Sequence, residues 1–300
     1  MPDKHFHMSA DYERHSSSQK TIGQTVIESI VDVAKKELGQ SEELKVLDLA
    51  CGPGNLTIEL KQALKSAFPQ TPIELTGLDY TEENVNLLVN NSNGDIQSVV
   101  GSFYEPFKLE SQDIITSNEG LHWQPPYEMS EIIYSQLPLE ERERYESWAF
   151  NNFKNALKNI HNCLKKGGVA VLQFGHEGQL QKLWDLIRDT LCEAQFEGYK
   201  SKVNFPLYYP TEKNIEISLL EAGFTYIKVD AFNQDLTEDS SESITEFLQA
   251  FTKPGFSTFF EPDDLNDFYS IIKAKLTRLK IDDFRKDQWH RTLIKATVAR

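Results

Sequence analysis

Cysteine is scarce. The chain has three, Cys51, Cys163 and Cys192, an odd number with no Cys-x-x-Cys pair. That excludes a disulfide framework or a structural zinc site as the organising device, and leaves free thiols in a reducing compartment. Long apolar runs are missing as well. No stretch approaches the roughly 20 apolar residues that cross a bilayer. The opening MPDKHFHMSADYERHSSSQK is polar and has no apolar signal core, so the expected location is the cytoplasm and no membrane partner is expected. Positive charge is in deficit: 31 Lys and Arg stand against 46 Asp and Glu, a net charge of −15, and no basic run exceeds two residues. Such a chain repels phosphate backbones, so nucleic acid is not an expected partner, and a small cation suits its field better. Metal-ligand spacing is absent too. His5, His7, His15, His161, His176 and His290 are scattered, and no metal is expected.

What the chain does have is material for a core. Of its 300 residues 39% are hydrophobic, including 18 Phe, 11 Tyr and 4 Trp. That excludes wholesale disorder and suits one large domain, or one domain with a substantial cap. Strand-like and helix-like runs alternate. Helical spacing covers 19–38, 55–68, 82–89, 150–163, 179–194 and 212–222. Buried-strand patterns cover 45–50, 73–79, 96–101, 113–117, 169–174 and 226–231. This alternation predicts an α/β fold: a doubly wound, mostly parallel, seven-stranded, Rossmann-like sheet with helices on both faces. The last strand, Arg291–Val298, has no crossover helix suited to a parallel partner and is expected to run antiparallel. Two stretches interrupt the pattern, Pro125–Ser147 and 232–286. The second holds helical patterns at Ser243–Phe251 and Pro262–Leu279 around the turn Lys253-Pro254-Gly255. Both are expected to form lids or a helical cap. Residues 1–20 are expected to form a mobile segment before a domain spanning 21–300.

The most informative window is Val46-Leu47-Asp48-Leu49-Ala50-Cys51-Gly52-Pro53-Gly54-Asn55-Leu56-Thr57. A buried strand enters a tight Gly-x-Gly turn and then a helix, at the carboxyl edge where open sheets bind ligands. Gly52 and Gly54 lack Cβ, so backbone can approach a ligand closely. The dinucleotide fingerprint needs a third glycine where Thr57 stands. Asp48 places a carboxylate beside the turn, which repels a pyrophosphate and attracts an ammonium. Asp79 ends the next strand, where an acidic residue accepts hydrogen bonds from vicinal ribose hydroxyls. A nucleoside with a cationic amino-acid tail and no phosphate is S-adenosylmethionine. Simpler roles exist for each residue: a turn-capping Asp48, a helix-capping Asp79, a tight turn without ligand.

VLDLACGPGNLT followed by LTGLDY resembles the cofactor motifs of class I S-adenosylmethionine-dependent methyltransferases, over residues 44–175. The resemblance implies that Asp48, Ala50, Gly52, Gly54, Asp79 and Tyr80 bind the cofactor. It places Ser102 and Phe103 near the adenine, with Ser102 where that superfamily usually has Asp, and Asn118 near the methyl group. The run Asn118-Glu119-Gly120-Leu121-His122-Trp123 is similar to the subgroup of trans-aconitate, malonyl-acyl-carrier and juvenile hormone acid methyltransferases, which make methyl esters. Tyr12-Glu13-Arg14-His15-Ser16-Ser17-Ser18-Gln19 resembles the N-terminus of the juvenile hormone acid enzymes. In that family the matching Gln and Trp hold the acceptor carboxylate, which implies Gln19 and Trp123 here, with Tyr12 covering the cofactor tail.

Amide and indole N–H groups can position a carboxylate without quenching it. A carboxylate is ionised at neutral pH and needs no base, so an orienting part suits His122 best. The expected product of the cofactor is S-adenosylhomocysteine. The expected acceptor is a small carboxylic acid with a largely apolar body, capped by the aromatics of Phe205–Tyr209 and Phe256–Phe260. N-, C- or phenolic O-methylation, and a cofactor-binding protein without turnover, remain the alternatives. Oligomeric state is not legible.

Overall fold

The near-continuous apolar runs of the central strands suit a sheet buried on both faces, and a computed structural model of the chain shows one. It describes residues 17–38, 42–106, 109, 111–124, 139–199 and 207–299. The elements are α1 (Ser17–Glu37), β1 (Leu44–Leu49), α2 (Asn55–Ala67), β2 (Ile73–Asp79), α3 (Glu82–Asn91), β3 (Gln97–Val100), β4 (Gln112–Asn118), α4 (Leu139–Cys163), β5 (Leu164–Gly175), α5 (Gln181–Leu191), a 3-10 turn (Ala194–Tyr199), α6 (Glu212–Ala222), β6 (Tyr226–Gln234), α7 (Ser241–Phe256), α8 (Pro262–Thr277), α9 (Ile281–Phe284) and β7 (Trp289–Thr297). The seven strands lie in the order β3-β2-β1-β4-β5-β7-β6. Strands β3, β2, β1, β4 and β5 are mutually parallel. β7 runs antiparallel to both β5 and β6, as expected, although three helices, α7 to α9, lie between β6 and β7.

One face of the sheet packs Val46, Ile114 and Val171 against Ile22, Val26 and Ile30 of α1 and Leu60 and Leu64 of α2. The other packs Leu47, Ile115 and Leu172 against Phe153, Leu157 and Ile160 of α4 and Leu219 of α6. A third apolar cluster joins α5, α7 and α8 through Ile187, Leu248, Phe256, Phe268 and Ile272. The amino-terminal half of α1 lies over the start of α2, hence over the carboxyl edge of the sheet: Gly23 has Leu56 directly above it, and Gln24 donates to Glu59 at 2.6 Å.

Several boundaries differ from expectation; β5 begins at Leu164 rather than Val169, and β6 runs on to Gln234 rather than ending at Ala231. Helix α4 begins at Leu139 rather than Phe150. The segment LEERERYES consists largely of strong helix formers, and Tyr145 anchors it, buried and donating its hydroxyl to the Leu207 carbonyl at 2.9 Å. Residues 125–138 lie outside the described residues. Helix α7 runs through Pro254 to Phe256 instead of ending at Phe251, because Phe256 is drawn wholly into the third cluster and packing overrides the Pro-Gly signal. Phe260 is also buried there, so the FSTFF run belongs to that core and not to an open pocket wall.

Phe153 is fully buried and meets Phe174 edge-on at 5.5 Å. Phe153→Ala is expected to cost about 3–5 kcal/mol, read from the midpoint of urea unfolding. A cost under about 1 kcal/mol would show that α4 can slide to refill the space.

Candidate active site

The turn after β1 is the first part of the site. Ala50, Gly52 and Gly54 all adopt left-handed backbone, φ 53°, 55° and 93°. The two glycines are there for different reasons. A Cβ on Gly54 would fall 2.3 Å from Leu88 Cδ1, so Gly54 lets α3 pack against the turn. A Cβ on Gly52 would point into open space. That is the cradle a ligand can occupy.

Two carboxylates support this turn. Asp79, buried at the end of β2, accepts from Gly52 N–H (2.9 Å), Thr81 N–H (3.0 Å) and Asn84 Nδ2 (3.1 Å). It therefore ties the glycine turn to the start of α3 as well as facing the cradle. Asp48, buried at 2% exposure, accepts from the Thr57 hydroxyl at 2.7 Å. Thr57 occupies the place of the fingerprint's third glycine and anchors the acidic strand. Burial is the main cause that pushes the Asp48 carboxyl up to about 7; the Thr57 hydrogen bond opposes it and the nearby Asp79 charge adds to it.

The other expected cofactor residues sit on the rim. Tyr80 is largely exposed beside the β2 turn. Ser102 turns its hydroxyl toward its own chain, accepting from Tyr104 N–H at 3.2 Å. Phe103 is buried against Tyr104, ring centroids 4.5 Å apart. Asn118 ends β4, and its Oδ1 is buried without a hydrogen-bond partner among the described residues. Tyr12 lies outside the described residues. Gln19 lies in the first turn of α1.

The segment after β4 builds the second part. Glu119 is left-handed, φ 60°, and its N–H donates to the Gln173 carbonyl at 2.8 Å. Its carboxylate meets Arg291 Nη1 at 2.6 Å. Arg291 is wholly buried on β7, with its guanidinium 4.1 Å from the Trp289 ring centre. Next come His122, buried, and Trp123, half-buried. His122 Nδ1 accepts from Gly175 N–H at 3.3 Å, so the proton of the neutral ring sits on Nε2. Burial lowers its pKa to about 4; Glu119 opposes the shift and Arg291 adds to it. Tyr209 and Trp123 flank His122 at 5.5 and 5.9 Å, and Phe251 lies 6.0 Å beyond Trp123. The Tyr104 hydroxyl donates to the Trp123 carbonyl.

Among the residues that could act here, sequence reasoning missed Thr57, Glu119, Gln173 and Arg291. One signal was present: Gln173 is a polar residue inside an otherwise apolar strand, GGVAVLQFG. Among the described residues no group of His, Cys, Asp and Glu could hold a metal, and no helix is long and apolar enough to cross a membrane.

A family model described as a methyltransferase domain matches residues 40–223. The chain belongs to the methyltransferase domain family. It is an S-adenosylmethionine-dependent methyltransferase. It is 22% identical over 253 residues to malonyl-[acyl-carrier protein] O-methyltransferase of Bacillus cereus, covering 81% of this chain and 75% of that one. It is 34% identical over 139 residues to demethylmenaquinone methyltransferase of Staphylococcus aureus, covering 45% of each. In fold it is similar to loganic acid methyltransferase with S-adenosylhomocysteine, at a TM-score of 0.74 and 15% identity over 96% of both chains.

The turn fits the methyltransferase's cofactor, with open space above Gly52 and buried acid on either side. In the free protein the raised Asp48 pKa makes a contribution to stability that is present below 3.8 and lost as pH rises through about 7. A cation bound beside Asp48 favours its ionised form and reverses that loss. Binding of S-adenosylhomocysteine at pH 7 is therefore expected to release about half a proton, and affinity should weaken as pH falls below 7. Calorimetry in buffers of different ionisation enthalpy measures this. Asp48→Asn should abolish the release, and a buffer-independent enthalpy in the unsubstituted enzyme would remove Asp48 from contact with the ligand.

Proposed function

We propose that this methyltransferase makes methyl esters, transferring the cofactor's methyl group to the carboxylate of a small acid with a largely apolar body. The observation that carries the reading is His122. Its Nδ1 lone pair is engaged by Gly175 N–H, its Nε2 holds the proton, and its pKa is near 4. The histidine best placed to serve as a base therefore has no free lone pair with which to take a proton at neutral pH. A phenol or ammonium acceptor must lose a proton; a carboxylate has none to lose. Two of the relatives carry names of acid acceptors, malonyl-[acyl-carrier protein] and loganic acid. Trp123, Tyr209 and Phe251 form an aromatic wall around His122, which suits an apolar acceptor body.

The bound cofactor supplies an electrophilic methyl group on a sulfonium. One carboxylate oxygen forms a bond to that carbon as the carbon–sulfur bond breaks, so an anion and a cation become a neutral ester and a neutral thioether. No proton moves. The protein's part is alignment, which in well-organised cases removes roughly 7–11 kcal/mol of barrier. In this reading Asp79 receives the ribose, Asp48 the cationic tail, and Gly52 and Gly54 let the backbone approach. Ala50, Tyr80, Ser102, Phe103, Asn118 and Tyr12 complete the enclosure. Gln19 and Trp123 hold the carboxylate, with neutral His122 as a further N–H donor.

Incubation with methyl-labelled cofactor and a panel of fatty, terpenoid and aromatic acids is expected to give label that mild alkali releases as methanol. Label only in phenols, amines or carbon would overturn the ester reading. At saturating cofactor, kcat with an acid is expected to be flat from pH 6 to 8. A limb with a pKa near 6.5 would make His122 a titrating base and point to a different acceptor.

A further inference from the structure

A row of polar side chains crosses the sheet on the face covered by α1. Strand register sets it out: Asp48 of β1 lies beside Thr116 of β4, Asn118 lies beside Gln173 of β5, and Arg291 of β7 lies opposite Gly175. Thr116 and Asn118 are two apart on one strand, as are Gln173 and Gly175 on another, so all share a face. Asp48 is held by Thr57, and Arg291 by Glu119. Gln173 is different. It is fully buried, and among the described residues neither its Oε1 nor its Nε2 has a hydrogen-bond partner. Leaving both halves of a buried amide unpaired is costly, and two unpaired halves together are a recognition surface.

Its position says for what. On one side stands Asn118, whose buried Oδ1 also has no partner among the described residues. On the other, about 6.6 Å along β5, is Gly175, where His122 and Tyr209 converge: Gly175 N–H donates to His122, and a Cβ on Gly175 would lie 3.0 Å from the Tyr209 ring. Gln173 thus lies between the end of β4 and the aromatic wall, under the amino-terminal turns of α1. An amide whose NH₂ and carbonyl oxygen are both without a partner among the described residues is complemented by a group that can accept and donate at once. A carboxylate only accepts. A hydroxyl does both.

We propose that Gln173 is a specificity-determining residue that recognises a hydroxyl group on the acceptor, so that the substrate class is a hydroxy acid. This rests on the carboxyl reading above. The test uses pairs of acids differing by one hydroxyl, each 2-, 3- or more remote hydroxy acid against its deoxy partner. Wild type and Gln173→Met, an unbranched replacement of similar length without hydrogen-bonding groups, are compared.

The expected result is at least a tenfold preference of the wild type for one hydroxy member in kcat/KM. In Gln173→Met the ratio should fall to near one, with S-adenosylhomocysteine affinity within threefold of wild type. The thermal midpoint of the variant without ligand should be unchanged or higher, because an unpaired amide has been replaced by an apolar group of like shape. Gln173→Leu provides a second apolar variant for the same comparison. Esters formed with no hydroxyl preference, a preference that survives the substitution, or a lowered thermal midpoint would each overturn the assignment while leaving the carboxyl reading in place. No ester from any acid would overturn both.

Discussion

The ion pair between Glu119 and Arg291 is the interaction on which the acceptor side of this enzyme depends. It joins residues 172 positions apart, one just past the end of β4 and the other on the closing antiparallel strand. A buried charge pair is rarely a gain in stability over apolar packing, since both ions lose their water. Removing one partner is another matter, because an uncompensated charge is left inside; such losses run to about 3–5 kcal/mol. The pair fixes geometry. Glu119 meets Arg291 from a left-handed backbone, and Gly120 follows it, because a Cβ there would strike Ala50 Cβ and Ser117 Oγ at 2.6 Å. The segment is thereby pressed between the cofactor turn and β7, and His122 and Trp123 are delivered to the aromatic wall.

The donor side depends on the same device in a different form. Asp79 binds the Gly52 amide and the opening of α3, while Gly54 admits Leu88. The turn is thus shaped by the protein before any ligand arrives, with the open side of Gly52 left over. Asp48 lies behind it as a carboxyl whose pKa burial raises to about 7. Preformed shape with an adjustable charge suits a cationic ligand: the backbone need not move, and the charge develops where it is needed.

How much of this the sequence disclosed follows from the range of each interaction. The glycine turn and Asp48 lie within 10 residues, and Asp79 is placed by one strand-helix-strand unit, so local pattern suffices. Glu119, Gln173 and Arg291 were not legible, because their meeting depends on the register of β4, β5 and β7, which no local pattern encodes. The start of α4 was misplaced for a related reason: the tertiary contact of Tyr145, not apolar periodicity, determines it. The aromatic run at Phe256–Phe260 misled in the opposite sense. Its composition suits a pocket wall, yet α8 covers it, while the proposed wall draws Trp123, Tyr209 and Phe251 from three separate segments.

Under the carboxyl reading proposed above the reaction needs no base, and yet polarity along the sheet is plentiful. Asp48, Thr116, Asn118, Gln173 and Arg291 run as one row from the donor turn to the aromatic wall. Arg291 is paired with Glu119, so beyond Asp48 the row offers an incoming ligand directed hydrogen bonds rather than net charge. In such surroundings an anionic oxygen is oriented without being strongly stabilised, and it keeps its reactivity. A free lysine or arginine would bind the same anion more tightly and raise the barrier to its attack. The Glu119–Arg291 pair avoids that outcome by compensating the one fully buried guanidinium among the described residues. In that reading the acceptor is selected by shape and by neutral polar contacts.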